Sequence, residues 1–283
     1  MSITSSSVLV ELNISVWGAE KLDRRATEDL TITSKAARDA AKVYKNLMSG
    51  TSVRKDIADF ATRCRAWHQS RTLPWADRGT RLLPTSLFME YKAEVNAKRD
   101  TFMRMVDTFR QEYPKVLAMA PTNMGDLHNH SDYPSLDEVM PKFGFRLVFS
   151  PVPDSGDFRL DIPAQELEAM RKEYDANFLS RVDEAMGTLW GQLHDMLGKM
   201  SEKLVEPTGE DKRRWHDVFL TNAHEMCAML THLNVTKDPK LEDARRKLET
   251  ALIGVDIDDI KENEGVRANV KTKLDAILSG YDW

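Results

Sequence analysis

The segment LEAMRKEYDANFLSRVDEAMGTLWGQLHDMLGKMSEKL, residues 167–204, decides the fold class of this 283-residue chain. Its apolar residues recur every three or four positions without a break, which is the period of one helix face. A helix of about 40 residues is roughly 60 Å long, which exceeds the width of a compact domain. We therefore predict a long helix that serves a hairpin partner or another subunit over part of its length.

The rest of the C-terminal half also has a helical period. After the break at VEPTGED, the apolar positions predict three shorter helices, two of which end at a glycine. They cover residues 211–233, 238–253 and 263–279.

The N-terminal half mixes two periods. VLVELNISVW, residues 8–17, alternates apolar and polar side chains as a half-buried strand does. FRLVFSPVPDSGDFRLDI, residues 145–162, alternates on both sides of a turn and predicts a hairpin. We expect a small antiparallel sheet of about three strands, from residues 8–17, 144–150 and 157–162.

Helices are predicted around this sheet. Apolar spacing indicates them at residues 34–48, 52–69 and 87–113, whereas the prolines of 70–86 and of 114–142 indicate breaks. The predicted fold class is thus α+β, mostly helical, with a mixed region over residues 1–162 and an extended helical region over 163–283.

Composition restricts the function. The formal charge of −5 is unlike that of a duplex-binding protein, which is usually basic. No window approaches 18 uncharged apolar residues, so no membrane span is expected. The N-terminal stretch does not have the pattern of a signal peptide, and the two cysteines are far apart, so we expect a cytoplasmic protein with free thiols.

The stretch MGDLHNHSDY, residues 124–133, raises the question of a metal centre. The stretch matches the opening motif of a metal-dependent phosphoesterase, in which alternate histidines of an extended segment share a metal. The matching residues are Asp126, Leu127, His128, His130 and Ser131. No second His-x-His follows, and we prefer a polar surface loop without metal or other cofactor. A phosphoesterase that uses His128 and His130 is the third hypothesis.

A basic stretch suggests another surface. Residues 54–110 hold twelve Lys or Arg against seven acids, with tryptophans interleaved. Basic groups beside stacking rings are typical of grooves for single-stranded nucleic acid. The residues of this alternative are Arg63, Arg65, Trp67, Arg71 and Trp75, although the tryptophans are more simply explained as core.

The long helix carries the preferred binding surface. Its stripe is rich in methionine, which adapts to partner helices. The expected contact residues are Met170, Tyr174, Phe178, Met186, Leu193, Met196 and Met200.

The layout resembles an uncharacterised family of proteins from tailed phages, prophages and mobile elements. The resemblance rests on VLVELNISVWGAEKLD, on LPWADRGTRLLPTS and on FRLVFSPVPDSGDFRLDI followed by a long helix. Members of that family are often encoded near a ring-forming AAA+ ATPase of the MoxR or chelatase-like type. The resemblance implies a protein of the bacterial cytoplasm that assists such an ATPase, and it supplies no catalytic residues.

The leading hypothesis is therefore a non-enzymatic interaction protein. It would form a homo-oligomer or bind a protein partner through the long helix. Single-stranded nucleic-acid binding is the alternative from a different class.

Overall fold

The computed structural model describes residues 3–76, 79–154, 163–205 and 218–283. The helices are α1 (Ile3–Ser6), α2 (Arg24–Thr33), α3 (Val53–Ser70), α4 (Phe88–Met124), α5 (Leu136–Val139), α6 (Ala164–Lys203), α7 (Val218–Leu233), α8 (Pro239–Leu252), α9 (Ile257–Glu262) and α10 (Glu264–Leu278). The strands are β1 (Ser7–Ser15), β2 (Glu20–Leu22), β3 (Tyr44–Asn46), β4 (Leu73–Pro74), β5 (Thr80–Pro84) and β6 (Gly144–Pro151). The predicted α+β, mostly helical class is confirmed.

The main sheet has four strands in the order β4-β5-β1-β6. Strand β1 pairs antiparallel with β5, with Val10 opposite Arg81. Strands β4 and β5 come from residues 70–86, which the sequence predicted as a break. Pro74 and Pro84 are the last residues of their strands, where a missing backbone N–H costs little. The strand predicted at 157–162 lies outside the described residues.

The prediction of a helix at residues 34–48 is wrong. Helix α2 lies earlier, because the Asp23 side chain caps it by accepting a hydrogen bond from the Ala26 amide. Lys35 then adopts a left-handed conformation with φ of 49°, just after the helix ends. The alanine-rich stretch that follows forms turns, and β3 pairs antiparallel with β2 in a separate two-stranded sheet.

Helix α4 is longer than the sequence predicted. It extends from Phe88 to Met124 and includes Pro114 and Pro121 in its interior. The break predicted at residue 114 therefore begins only after residue 124. A 3-10 turn at Gly125–Leu127 ends the helical run.

Contacts group the chain into two compact units that interleave along the sequence. Unit 1 comprises residues 1–11, 68–91 and 148–283, and unit 2 comprises residues 12–67 and 92–147. Their boundary does not coincide with the division after residue 162 that the sequence suggested.

Unit 2 is organised around aromatic residues. The Trp17 ring meets Phe109 and Tyr113 edge to face, at centroid distances of 6.1 and 5.7 Å. Phe109 also contacts Phe143 at 4.9 Å. Arg54 donates a hydrogen bond to the Trp17 carbonyl oxygen at 2.7 Å, so the polar backbone beside this core is satisfied.

Unit 1 is organised around the second half of α6. Leu189, Leu193 and Leu197 are fully buried, and α6 packs against α10 and β4. Helix α8 packs against both α7 and α10. Helices α8 and α10 lie within about a residue of their predicted bounds, and α7 is the described part of the helix predicted at 211–233.

One leucine from each half of α6 tests which half of the helix is buried. We expect Leu193→Ala to lower the free energy of unfolding by about 3 kcal/mol, because it leaves a cavity in a packed core. Leu179→Ala, at a position that is 63% exposed, should change it by less than about 0.5 kcal/mol. Urea denaturation measures both values, and equal values would contradict the assigned orientation of α6.

Candidate functional site

The histidine loop of unit 2 consists of two short 3-10 turns joined by extended residues. His128 and His130 are separated by a short extended stretch, with 3-10 turns at Gly125–Leu127 and His130–Asp132. The His128 ring lies against the Tyr133 ring, with centroids 5.7 Å apart. Within the described ranges, no group of three or more His, Cys, Asp or Glu side chains could hold a metal ion.

A lysine from a distant strand organises this loop instead. Lys45 of β3 donates a hydrogen bond to the Leu127 carbonyl oxygen at 3.2 Å and forms an ion pair with Asp132. Asp23 lies 3.8 Å from the same ammonium group. The hydrogen bond to Asp132 raises the pKa of Lys45, although burial opposes the shift. Both charged side chains of the main pair are only 10% exposed, so the ion pair is shielded from water.

The basic and aromatic residues of the nucleic-acid alternative fall in different units. In unit 2, Arg65 donates a hydrogen bond to the Ile14 carbonyl oxygen at 2.7 Å. The Lys98 ammonium lies 4.5 Å from the centre of the Trp67 ring. The Arg63 guanidinium lies 5.8 Å from the centre of the Phe60 ring. These side chains thus already have contacts within unit 2.

In unit 1, Trp75 is 4% exposed and its ring packs edge to face on Phe178 at 5.2 Å. A base therefore has no access to the Trp75 ring. Arg71 lies 3.9 Å from the Glu90 carboxylate. Nucleic-acid binding by the arginines stays a prediction, without the stacking contribution from Trp75.

The seven residues expected to bind a partner along α6 divide by burial. Met186, Leu193 and Met200 are buried in unit 1. The other four are half-buried: Met170, Tyr174, Phe178 and Met196. The Tyr174 hydroxyl donates a hydrogen bond to the Pro153 carbonyl oxygen. Three of these four, all except Met196, lie in the first half of α6.

A polar cluster inside unit 1 was not predicted from the sequence. His68 of α3 is 5% exposed, and its Nδ1 lies 2.8 Å from the Tyr91 hydroxyl of α4. The Arg81 guanidinium of β5 donates to the Thr72 hydroxyl at 2.6 Å and to the Gln69 carbonyl oxygen at 3.2 Å. The signal, a histidine on the buried face of α3, could have been found only by knowing which face is buried.

The buried surroundings of His68 keep its imidazole ring neutral. Burial, assisted by the Arg81 charge, lowers the pKa of His68 to about 4. Burial also raises the pKa of Tyr91 and lowers that of Arg81. Among the described residues, His68 Nε2 has no hydrogen-bond partner, so nothing there would stabilise a second ring proton. The cluster joins α3, α4 and β5.

A second polar cluster has the residue types of a serine–lysine hydrolase. Ser201 of α6 donates a hydrogen bond to Asp275 of α10, and Lys271 donates to the Ser201 hydroxyl at 3.2 Å. Lys271 also forms an ion pair with Asp275. The hydrogen bonds that Asp275 accepts from Lys271 and Ser201 lower the pKa of its carboxyl group. The cluster links α6 to α10.

Both cysteines are free, as predicted, and both are buried. Cys227 is held in its thiol form, since burial raises its pKa to about 11. Across the ranges that the structure covers, none of the helices has the length and apolar character to cross a membrane. In comparisons with models of protein families, with curated proteins and with solved structures, nothing matched the chain.

The Lys45 network should be essential for unit 2. We expect Lys45→Ala to lower the free energy of unfolding by about 3 kcal/mol, because it leaves the Asp132 carboxylate shielded and unpaired. Lys55→Ala is the matched control, since the Lys55–Asp59 pair is exposed and its loss should cost less than about 1 kcal/mol. Urea denaturation compares them, and equal losses would refute the structural role of Lys45.

His68 should make stability depend on pH. Its pKa of about 4 in the folded state lies below the ordinary 6.5, so between these values only the unfolded chain binds the proton. Stability should fall as the pH falls through this window, by about 2 to 3 kcal/mol at pH 4.5. His68→Gln should remove this part of the pH dependence in urea denaturation. The same dependence in both proteins would contradict a neutral buried His68.

Proposed function

We propose that the protein is a non-enzymatic interaction protein that binds a second copy of itself through the first half of α6. The observation that carries the proposal is the unequal burial of this helix. No residue from Ala164 to Arg181, all within the described part of the chain, is buried, whereas eight residues from Val182 onward are. The first half of the helix also exposes Leu179, which is 63% accessible.

The exposed face has polar residues that suit a second copy. At 100° per residue, Lys172 and Asp175 lie on the same side of α6 as Leu179. All three are exposed, and within the described ranges neither charged group has an ion pair. Antiparallel pairing of two copies, centred between residues 173 and 174, would bring Lys172 of each copy opposite Asp175 of the other. A twofold axis forms each contact twice, so one pair of residues contributes two ion pairs.

The same register also accounts for the exposed leucine on this side of α6. Leu179 would lie opposite Glu168, whose methylene groups can cover part of the leucine. The long helix would then meet the expectation that part of its length serves another subunit.

A charge exchange tests the proposal. We expect Lys172→Asp to weaken self-association by about tenfold or more, since it places like charges opposite each other at two symmetric positions. The double variant Lys172→Asp with Asp175→Lys should restore association, because the ion pairs form again in reversed order. Sedimentation velocity over a range of concentrations, with native mass spectrometry to identify twice the 32.3 kDa chain mass, measures both.

Two further variants complete the experiment. Leu179→Glu should also weaken association, whereas Met89→Glu, at a 75% exposed position on α4, should not. A double exchange that fails to restore association would refute the antiparallel pairing. A wild-type protein that stays monomeric and also fails to bind a MoxR-type AAA+ ATPase, the partner implied by the family resemblance, would refute the interaction function itself.

A further inference from the structure

Three aromatic residues of unit 1 form a cluster in which their rings contact one another. The Trp190 ring lies 5.6 Å from Tyr281 and 5.4 Å from Trp283, measured between centroids. The Trp190 indole donates a hydrogen bond to Asp238 at 3.1 Å, and that of Trp283 donates to the Leu278 carbonyl oxygen at 2.6 Å. The polar atoms of both indoles are thus occupied, so a ligand would meet ring faces that are already fixed in position.

A cavity of about 270 Å³ lies beside this cluster. That volume suits a small molecule of roughly the size of an amino acid. Its lining combines two aromatic rings, the end of α10 and two charged side chains: Trp190, Lys240, Ser279, Gly280, Tyr281 and Asp282.

The two charged groups of the lining are of opposite sign and both are available. In the part of the chain that the structure describes, neither the Lys240 ammonium nor the Asp282 carboxylate has an ion pair or a hydrogen bond, with each other or with another group. By contrast, the nearby Lys247 ammonium is paired with Asp243 at 2.8 Å and lies 5.0 Å from the centre of the Tyr281 ring. Lys247 is therefore already neutralised.

Both charged side chains lie at helix ends. Lys240 lies in the first turn of α8, whose N-terminus is capped by the Asp238 side chain. Asp282 follows the last turn of α10, whose carbonyl groups form the negative end. The cavity thus has a positive side, a negative side and aromatic faces.

We propose that this cavity binds a small zwitterion, namely a free α-amino acid with an aromatic or bulky apolar side chain. Its carboxylate pairs with Lys240, its ammonium group pairs with Asp282, and its side chain covers the ring faces of Trp190 and Tyr281. A ligand with a single charge would leave one of the two lining charges without a partner, so opposite charges on one small molecule give the best complementarity.

Titration calorimetry with L-phenylalanine tests the proposal on the full chain. Two analogues serve as comparisons: phenethylamine, which lacks the carboxylate, and 3-phenylpropanoate, which lacks the ammonium group. L-phenylalanine should bind about tenfold more tightly than either analogue, since each analogue loses one ion pair.

Exposed variants assign the two contacts. Lys240→Gln should weaken L-phenylalanine by about tenfold and leave phenethylamine unchanged, whereas Asp282→Asn should weaken L-phenylalanine and leave 3-phenylpropanoate unchanged. Lys273→Gln, on an exposed position of α10, is the matched control and should change nothing. No binding of L-phenylalanine at millimolar concentration, equal binding of all three compounds, or binding that both variants leave unaltered would each overturn the proposal.

Discussion

The packing of the second half of α6 against α10 is the interaction on which unit 1 depends. The stripe from Val182 to Met200 is buried there, and the Ser201–Asp275 hydrogen bond joins the same two helices. Because this half of α6 is fixed in the core, the helix continues from it into the first half. The first half contacts Trp75 through Phe178 and Pro153 through Tyr174, but none of its own residues is fully buried. The proposal of self-association rests on this division of one helix into a buried and an exposed half.

Buried polar groups connect secondary-structure elements within each of the two units. In unit 1, the neutral His68 and the Arg81 guanidinium connect two helices to a strand. In unit 2, Lys45 holds the histidine loop through Asp132 and the Leu127 carbonyl oxygen. Each cluster contains residue types that often occur in catalytic or metal sites. In this structure, the hydrogen bonds of these residues connect helices, strands and loops. Removing one member of such a network leaves its buried partners without a hydrogen bond or ion pair, which is why single substitutions are expected to be costly.

The periodic elements could be predicted from the sequence. The stripe of α6 and the glycines after α8 and α10 locate these helices, and the alternation of residues 8–17 locates β1. Elements that depend on distant partners could not. Residues 34–48 have helical composition, yet the Asp23 cap places the helix earlier. The short strands β4 and β5 become recognisable only through their pairing with each other and with β1.

The contacts of the candidate sites also depend on residues that are distant in sequence. The two histidines are close together in the chain, whereas Lys45, which donates a hydrogen bond to their loop, lies 82 residues before Leu127. Trp75 is the type of residue on which nucleic-acid bases stack, but its ring is buried against Phe178. The cavity beside Trp190 combines residues from α6, α8 and the segment after α10, whose proximity no spacing in the sequence indicates.

Hydrogen–deuterium exchange along α6 at two protein concentrations is the most direct test of the central claim. Amides of residues 182–203 should be strongly protected at both concentrations, because this half is packed in unit 1. Amides of residues 164–181 should exchange quickly in dilute protein and slow down as the concentration rises. Equal protection of both halves at every concentration would contradict the account.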